Sequence, residues 1–219
     1  MNAIMDHNDL MLDYASGALA EGPSLVIASK LAMGESSRSE YREIEAIAGA
    51  LFETIDPSEV SDTLLDETLA RLDADDEPIA IPAPIQHDEA TCAVVPHPLR
   101  QYLAADLDGL NWVARGPGLE QCEVPLADKS FKASLLRIRA GEKMPRHTHK
   151  GIEYTLVLAG GFSDESGHYG RGGLAVCDGD VDHSPVADWG EDCICLTVLD
   201  APIKMTGLIG MFVNPFVRF

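Results

Sequence analysis

Apolar positions recur at helical spacing through the first part of the chain. Asn8 precedes Leu10, Met11, Tyr14 and Ala18, which predicts a first helix capped by Asn8 and ending near Gly22. Pro23 and Ser24 open a second, more apolar one through Leu25, Val26, Ile27, Leu31 and Met33, with Gly34 as its stop. Ser37 or Ser39 starts a third, carrying Tyr41, Ile44, Ile47, Ala48 and Leu51 on one face until Asp56-Pro57 breaks it. Ser61 or Asp62 begins a fourth, with Leu64, Leu65, Leu69 and Leu72 on one face. Four short helices within about 75 residues predict a small bundle whose core is marginal in size and leans on a metal or a partner. The three prolines of Pro78-Ile79-Ala80-Ile81-Pro82-Ala83-Pro84 then forbid a helix and make a stiff, extended connection. Beyond them the period changes. Asn111 to Val113, Phe131 to Ile138, Tyr154 to Leu158, Leu174 to Cys177 and Cys193 to Leu199 read as short strands between Gly, Pro and Asp turns. Such spacing predicts a jelly-roll barrel. The expected fold is therefore α+β in two parts: a helical bundle over 1–75, an acidic and proline-rich linker over 76–90, and a barrel over 91–219 with an apolar tail. That tail, from Met205 to Phe219, is too apolar to hang in water, so it is expected to pack on the barrel or on a second copy in a homodimer.

Charge sharpens this picture. The 219 residues carry a net charge of -20, and the stretch from Glu53 to Glu89 holds twelve acidic side chains against the single basic Arg71. A surface of that sign excludes nucleic acid and anionic membranes as direct partners and suits a basic protein. No apolar run reaches the roughly 20 residues that span a bilayer, and the first residues lack a basic-then-apolar signal pattern, so a cytoplasmic location is expected. The five cysteines (Cys92, Cys122, Cys177, Cys193 and Cys195) form no CxxC pair and read as reduced, buried thiols. Cys193 and Cys195, two apart on a strand, share a face; they are small core residues unless exposure and a lowered pKa make them a redox pair.

The candidate chemistry lies in one spacing. Gly141, five residues, His147-Thr148-His149, three residues, Glu153, six residues and Gly160 are followed by His183 after the turn Asp178-Gly179-Asp180. Imidazoles two apart on an extended segment point to one side, and three imidazoles with a carboxylate on neighbouring strands can converge on a divalent metal. The spacing resembles the first cupin motif at every fixed position. The second motif is looser: Asp178 stands where proline is usual and Ala187 where asparagine is expected, while Gly179-x3-His183 remains. The resemblance implies His147, His149, Glu153 and His183 as ligands of one metal, zinc in the first instance, with Fe, Mn or Ni as alternatives. His168, in Ser166-Gly167-His168-Tyr169-Gly170, is the nearest further candidate for acid–base chemistry and reads as an exposed loop histidine.

A helical N-terminal part of this size joined to a cupin resembles the ChrR-type anti-sigma factors, as do His7, Leu10, Leu12 and Tyr14 with Ala15-Ser16-Gly17, then Ser24 to Ser29. The resemblance implies a regulator that masks an extracytoplasmic-function sigma factor with its helices and senses singlet oxygen or organic peroxide through the cupin. It also implies a second zinc, on an H-x3-C-x2-C motif, but the matching positions are Lys30, Gly34 and Ser37, and only His7 remains of the four ligands. One imidazole beside a lysine does not hold structural zinc, so the helices are expected to be zinc-free, with Lys30 pairing Asp6 or Glu35. The sigma contact is expected on the fourth helix, through Asp62, Asp66 and Glu67 with Leu65 and Leu69. The alternative is a metal-dependent cupin oxygenase or isomerase with a vestigial helical part.

Overall fold

The computed structural model describes residues 7–74 and 85–206. Helix α1 spans His7–Ala15. It ends well short of Gly22, because Gly17 takes a left-handed φ of 73° that few other residues adopt. There the N–H of Gly17 donates to Tyr14 O and that of Ala18 to Asp13 O, satisfying two terminal carbonyls. Gly22 instead lies in the first turn of α2, Glu21–Met33, and is buried. Helix α3, Glu35–Phe52, follows after the single extended residue Gly34, earlier than Ser37 or Ser39 would have it. Helix α4, Leu64–Ala74, begins two residues beyond Asp62.

The first three helices pack on one another, but α4 is exposed along its whole length, so its leucine face meets water. Helix α2 is apolar on nearly every side and accordingly central, with α1 and α3 against it and the β part beneath. The proline-rich segment falls at residues 75–84, and most of the apolar tail at 207–219; both lie outside the described residues.

The chain resumes with two short helices that the sequence pattern did not suggest: α5, Glu89–Val94, capped by Asp88 through the Thr91 N–H at 2.7 Å, and α6, His97–Arg100. Cys92, expected to be buried, is exposed on α5, whereas the other four cysteines are buried.

Among the described residues twelve strands follow: β1 Val113–Gly116, β2 Leu119–Val124, β3 Lys132–Ile138, β4 His147–His149, β5 Glu153–Ala159 and β6 Gly161–Asp164. The rest are β7 Gly167–Gly170, β8 Leu174–Cys177, β9 Asp182–His183, β10 Val186–Ala187, β11 Cys193–Leu199 and β12 Ile203–Met205. A six-stranded antiparallel sheet, in the order β1-β2-β3-β11-β5-β8, faces two three-stranded sheets, β10-β6-β7 and β12-β4-β9.

Alternation along the central strands divides the core in two. Tyr154, Leu156 and Leu158 of β5 with Leu196 and Val198 of β11 join one apolar cluster with the helices. Val157, Cys193 and Cys195 turn the other way, into the barrel, with Phe162 from β6. The centre of the large sheet, at β5 and β11, is thus covered on both faces.

Candidate metal centre

Strand pairing builds the site. His147 and His149 are two apart on β4, and His147 is the direct cross-strand partner of His183 on β9. All three imidazoles therefore leave the same face of one small sheet. Glu153 opens β5 on the opposite wall. The turn between β4 and β5 needs glycine at 151, since a Cβ there would overlap the Asp200 carboxylate, which accepts the Ile152 N–H at 2.7 Å. Thr155 Oγ1 donates to Glu153 Oε1 at 3.1 Å and fixes its rotamer.

The four side chains come together, with one ligand atom from each lying within 4.8 Å of all the others. His183 Nε2 is 3.1 Å from His147 Nε2 and 3.2 Å from His149 Nε2. The far nitrogens say what these atoms carry. His147 Nδ1–H donates to the Pro145 carbonyl at 2.8 Å, and His183 Nδ1–H donates to Asp164 Oδ2 at 2.8 Å, in each case leaving Nε2 with a bare lone pair. Two lone pairs at 3.1 Å repel unless a cation lies between them. His149 Nδ1 approaches Glu153 Oε2 at 3.0 Å, off the line of a hydrogen bond, and is buried without a hydrogen-bond partner. Ligands about 2.1 Å from a tetrahedral zinc lie about 3.4 Å from one another, close to the spacing of these nitrogens. The donor set of three imidazoles and one carboxylate fits a single divalent ion.

Electrostatics agree. Burial, reinforced by the other two imidazoles, pushes His149 down to about 3, and burial lowers His147 against the opposing bond to Pro145. Burial likewise raises Glu153, whose side chain is 12 % exposed. The pocket therefore offers neutral nitrogens from His147 and His149 beside a carboxylate of raised proton affinity. In metal-free protein a depressed histidine confers stability that is intact above its unfolded value of about 6.5 and is lost as pH falls towards 3. Glu153, raised, acts in the opposite sense, so the clean test is Glu153→Gln, which removes that contribution. The melting temperature of chelator-treated Glu153→Gln protein should fall from pH 7.5 to 5.5; one that rises on acidification would contradict the depressed histidines.

Asp164 is the functional residue that the sequence did not reveal. Its side chain is fully buried, and its two oxygens divide their work: Oδ2 orients His183, while Oδ1 accepts the N–H groups of Ser166 and Gly167. From the sequence alone Asp164-Glu165-Ser166-Gly167 reads simply as a turn, which conceals the second role. A carboxylate behind a ligating imidazole typically contributes 10–100-fold in metal affinity, so Asp164→Asn should weaken binding by about that factor in a chelator competition. An unchanged affinity would confine Asp164 to the turn.

Beside the ligands lies a cavity of about 40 Å³, walled by Met144, Phe162, Thr155, Thr197, Cys177 and Cys195 among others. That volume takes a few waters, against the several hundred Å³ usual for organic ligands. The thiols there are protonated: burial lifts Cys177 to about 12, and Cys193, 3.4 Å away, together with burial lifts Cys195. They behave as core residues rather than a redox pair.

The other candidate residues lie elsewhere. His168 is on strand β7 rather than in a loop; it is exposed and pairs with Asp188 at 2.7 Å. Of the two carboxylates expected to pair Lys30, Asp6 lies outside the described residues and Glu35 is held by Arg38 and Arg42. Lys30 Nζ donates to the Gly172 carbonyl of the barrel at 3.0 Å. Gly34 joins α2 to α3, Ser37 is in the first turn of α3, and His7 begins α1, its side chain outside the described residues. Among the described residues, Lys30, Gly34 and Ser37 bring no ligand set together. Asp62 lies just before α4 and Leu65, Asp66, Glu67 and Leu69 lie on it, all exposed.

Comparison with known proteins adds the wider context. The family model described as the ChrR cupin-like domain matches residues 100–201. The chain is 35% identical over 209 residues to the anti-sigma-E factor ChrR of Cereibacter sphaeroides, covering 95% of both proteins. It also superposes on a chain of the crystal structure of Rhodobacter sphaeroides SigE in complex with the anti-sigma ChrR. The TM-score is 0.72 at 31% identity, over 89% of this chain and 97% of that one.

Proposed function

Because the chain belongs to the ChrR family of anti-sigma factors, we propose that it binds and inhibits an extracytoplasmic-function sigma factor through residues 1–75. In this reading residues 91–219 form the metal-binding cupin that responds to singlet oxygen or organic peroxide, and residues 76–90 join the two. The observation that carries it is the apolar surface left in water between Ile47 and Leu72. Phe52 is 72 % exposed, and Ile47, Leu51, Ile55, Val60, Leu65 and Leu72 are each above 60 %. An uncovered apolar stripe of this extent wants a protein partner, and the carboxylates threaded through it, Asp62, Asp66 and Glu67 among them, select a basic one. Sigma factors, which bind promoter phosphates, carry such surfaces.

The cupin metal in this reading is zinc, held by His147, His149, Glu153 and His183. Those four residues, drawn from two walls of the barrel, would hold it, and it would supply a cross-link between them. The chain's own residues do the rest. Pro145 and Asp164 fix the tautomers of His147 and His183, Thr155 fixes Glu153, and the small cavity limits what reaches the centre to molecules of a few heavy atoms. A cavity of this size favours a sensor over an oxygenase or isomerase acting on a larger organic substrate. No helix among the described residues is long and apolar enough to cross a membrane, in keeping with a proposed cytoplasmic site of action. The test is binding of the metal-loaded full chain to an extracytoplasmic-function sigma factor of the same organism, with elemental analysis of the same preparation. Absence of a complex, together with turnover of a small diketone or peroxide, would replace the regulator with the enzyme.

A further inference from the structure

Helix α2 has no face of its own in water: none of residues 21–31 is exposed. Leu25, Val26 and Ile27 share one apolar cluster with Tyr154, Leu156, Leu196 and Val198 on the outer face of β5 and β11. Its two ends are fastened to the barrel by polar groups. At the first turn, Glu21 Oε2 accepts the Asp128 N–H at 2.7 Å and Oε1 accepts the Tyr102 hydroxyl at 3.2 Å. At the last, Lys30 Nζ donates to Gly172 O at 3.0 Å, and the N–H of Gly172 in turn donates to Val157 O of β5. Between them Gly22 lets the helix lie directly on the strands. A Cβ there would stand 2.8 Å from Val198 Cγ1 and 3.0 Å from Phe131 Cβ. Helices α1 and α3 reach the barrel chiefly through α2, and α3 has no buried residue at all.

We propose that α2 is a docked strap whose folding partner is the outer face of β5 and β11 together with α6 beside it, so that α1, α2 and α3 come apart as one unit when α2 leaves that surface. Three helices of this length bury too little apolar surface by themselves to offset the loss of chain entropy. The barrel wall supplies the remainder, and the polar contacts at Glu21 and Lys30 set where the helix sits. The inference does not depend on what the exposed stripe of α3 and α4 binds, and its test requires no partner.

Hydrogen exchange of the full, metal-loaded chain decides it, because exchange reports which segments open together. Gly22→Ala discriminates by sign. In a helix folded on its own, alanine is the better helix former and exchange should slow by up to about fivefold. In a docked strap the added methyl strikes Val198 and Phe131, and amides throughout α1, α2 and α3 should exchange at least about tenfold faster while those of β5 and β11 do not change. Slower or unchanged exchange, or loosening confined to the first turn of α2, overturns the proposal. Should Gly22→Ala fail to fold, Lys30→Met decides between the two: it keeps the apolar stem and removes the charged donor. Exchange about tenfold faster across the three helices supports the strap, and unchanged exchange overturns it.

Discussion

Glu153→Gln should weaken metal binding at least tenfold and at the same time leave the metal-free protein as stable as the parent or more so. The two effects come from one cause. The Glu153 carboxylate is buried, its proton affinity is raised by that burial, and the nearby His147 and His149 are held neutral by their own burial. Such a charge is a burden to the fold until a cation relieves it. Each tenfold loss of affinity removes about 1.4 kcal/mol of the metal's stabilisation, or about 4 °C of melting temperature in a chain of this size. His149→Ala shares the first effect but not the second, since it removes a neutral donor and leaves the carboxylate uncompensated. Chelator competition and paired melts with and without metal read both quantities. Equal affinity in Glu153→Gln and parent would mean that the carboxylate is no ligand. A metal-free Glu153→Gln protein that melts well below the metal-free parent would mean that its charge is already balanced.

The second large effect concerns the partner surface. Leu65→Asp with Leu69→Asp should lower affinity for the sigma factor by about 100-fold or more, since each leucine fully buried on binding contributes about 1.5–3 kcal/mol. Both side chains already stand in water, 69 % and 49 % exposed, so the melting temperature of the protein alone should stay within error. Reversing Asp62, Asp66 and Glu67 to Lys should act differently. Rim charges steer encounter, so the association rate should fall and its dependence on salt should flatten, with dissociation little altered. Stopped-flow or surface-based kinetics at two salt concentrations separates the two groups. Unchanged affinity in the double aspartate variant would place the interface elsewhere than α4.

How much of this was legible in the sequence varied with the range of the physics involved. His147, His149 and Glu153 lie in one short spacing whose period-two alternation is a local fact, whereas His183, far along the chain, rested on the likeness to the cupin motifs, and strand pairing brings it beside His147. The C-terminal end of α2 at Gly34 and the central strands were legible because they too are local. The end of α1 was missed because Gly17, rather than Gly22, takes the left-handed conformation, and both are plausible stops on paper. Asp164 was hidden by its own turn. Lys30 is more instructive: Glu35, near in sequence, is held by Arg38 and Arg42, and among the described residues the lysine donates to a carbonyl 142 residues away. Nothing local announces that α2, apolar on nearly all sides, would be satisfied by a β-sheet rather than by α4. The same gap explains why four helical patterns did not yield four mutually packed helices.

Strand β5 shows what such burial demands of a sequence. Its alternate residues are committed to different clients: Glu153 and Thr155 to the metal pocket, Tyr154, Leu156 and Leu158 to the helices, and none of its seven residues is exposed. On most strands half the positions face water and can drift without consequence. Here there is no neutral side. Substitutions accumulating in this protein would therefore be expected to pass over residues 153–159 and collect on α4 and its flanks, where solvent forgives change unless a partner forbids it.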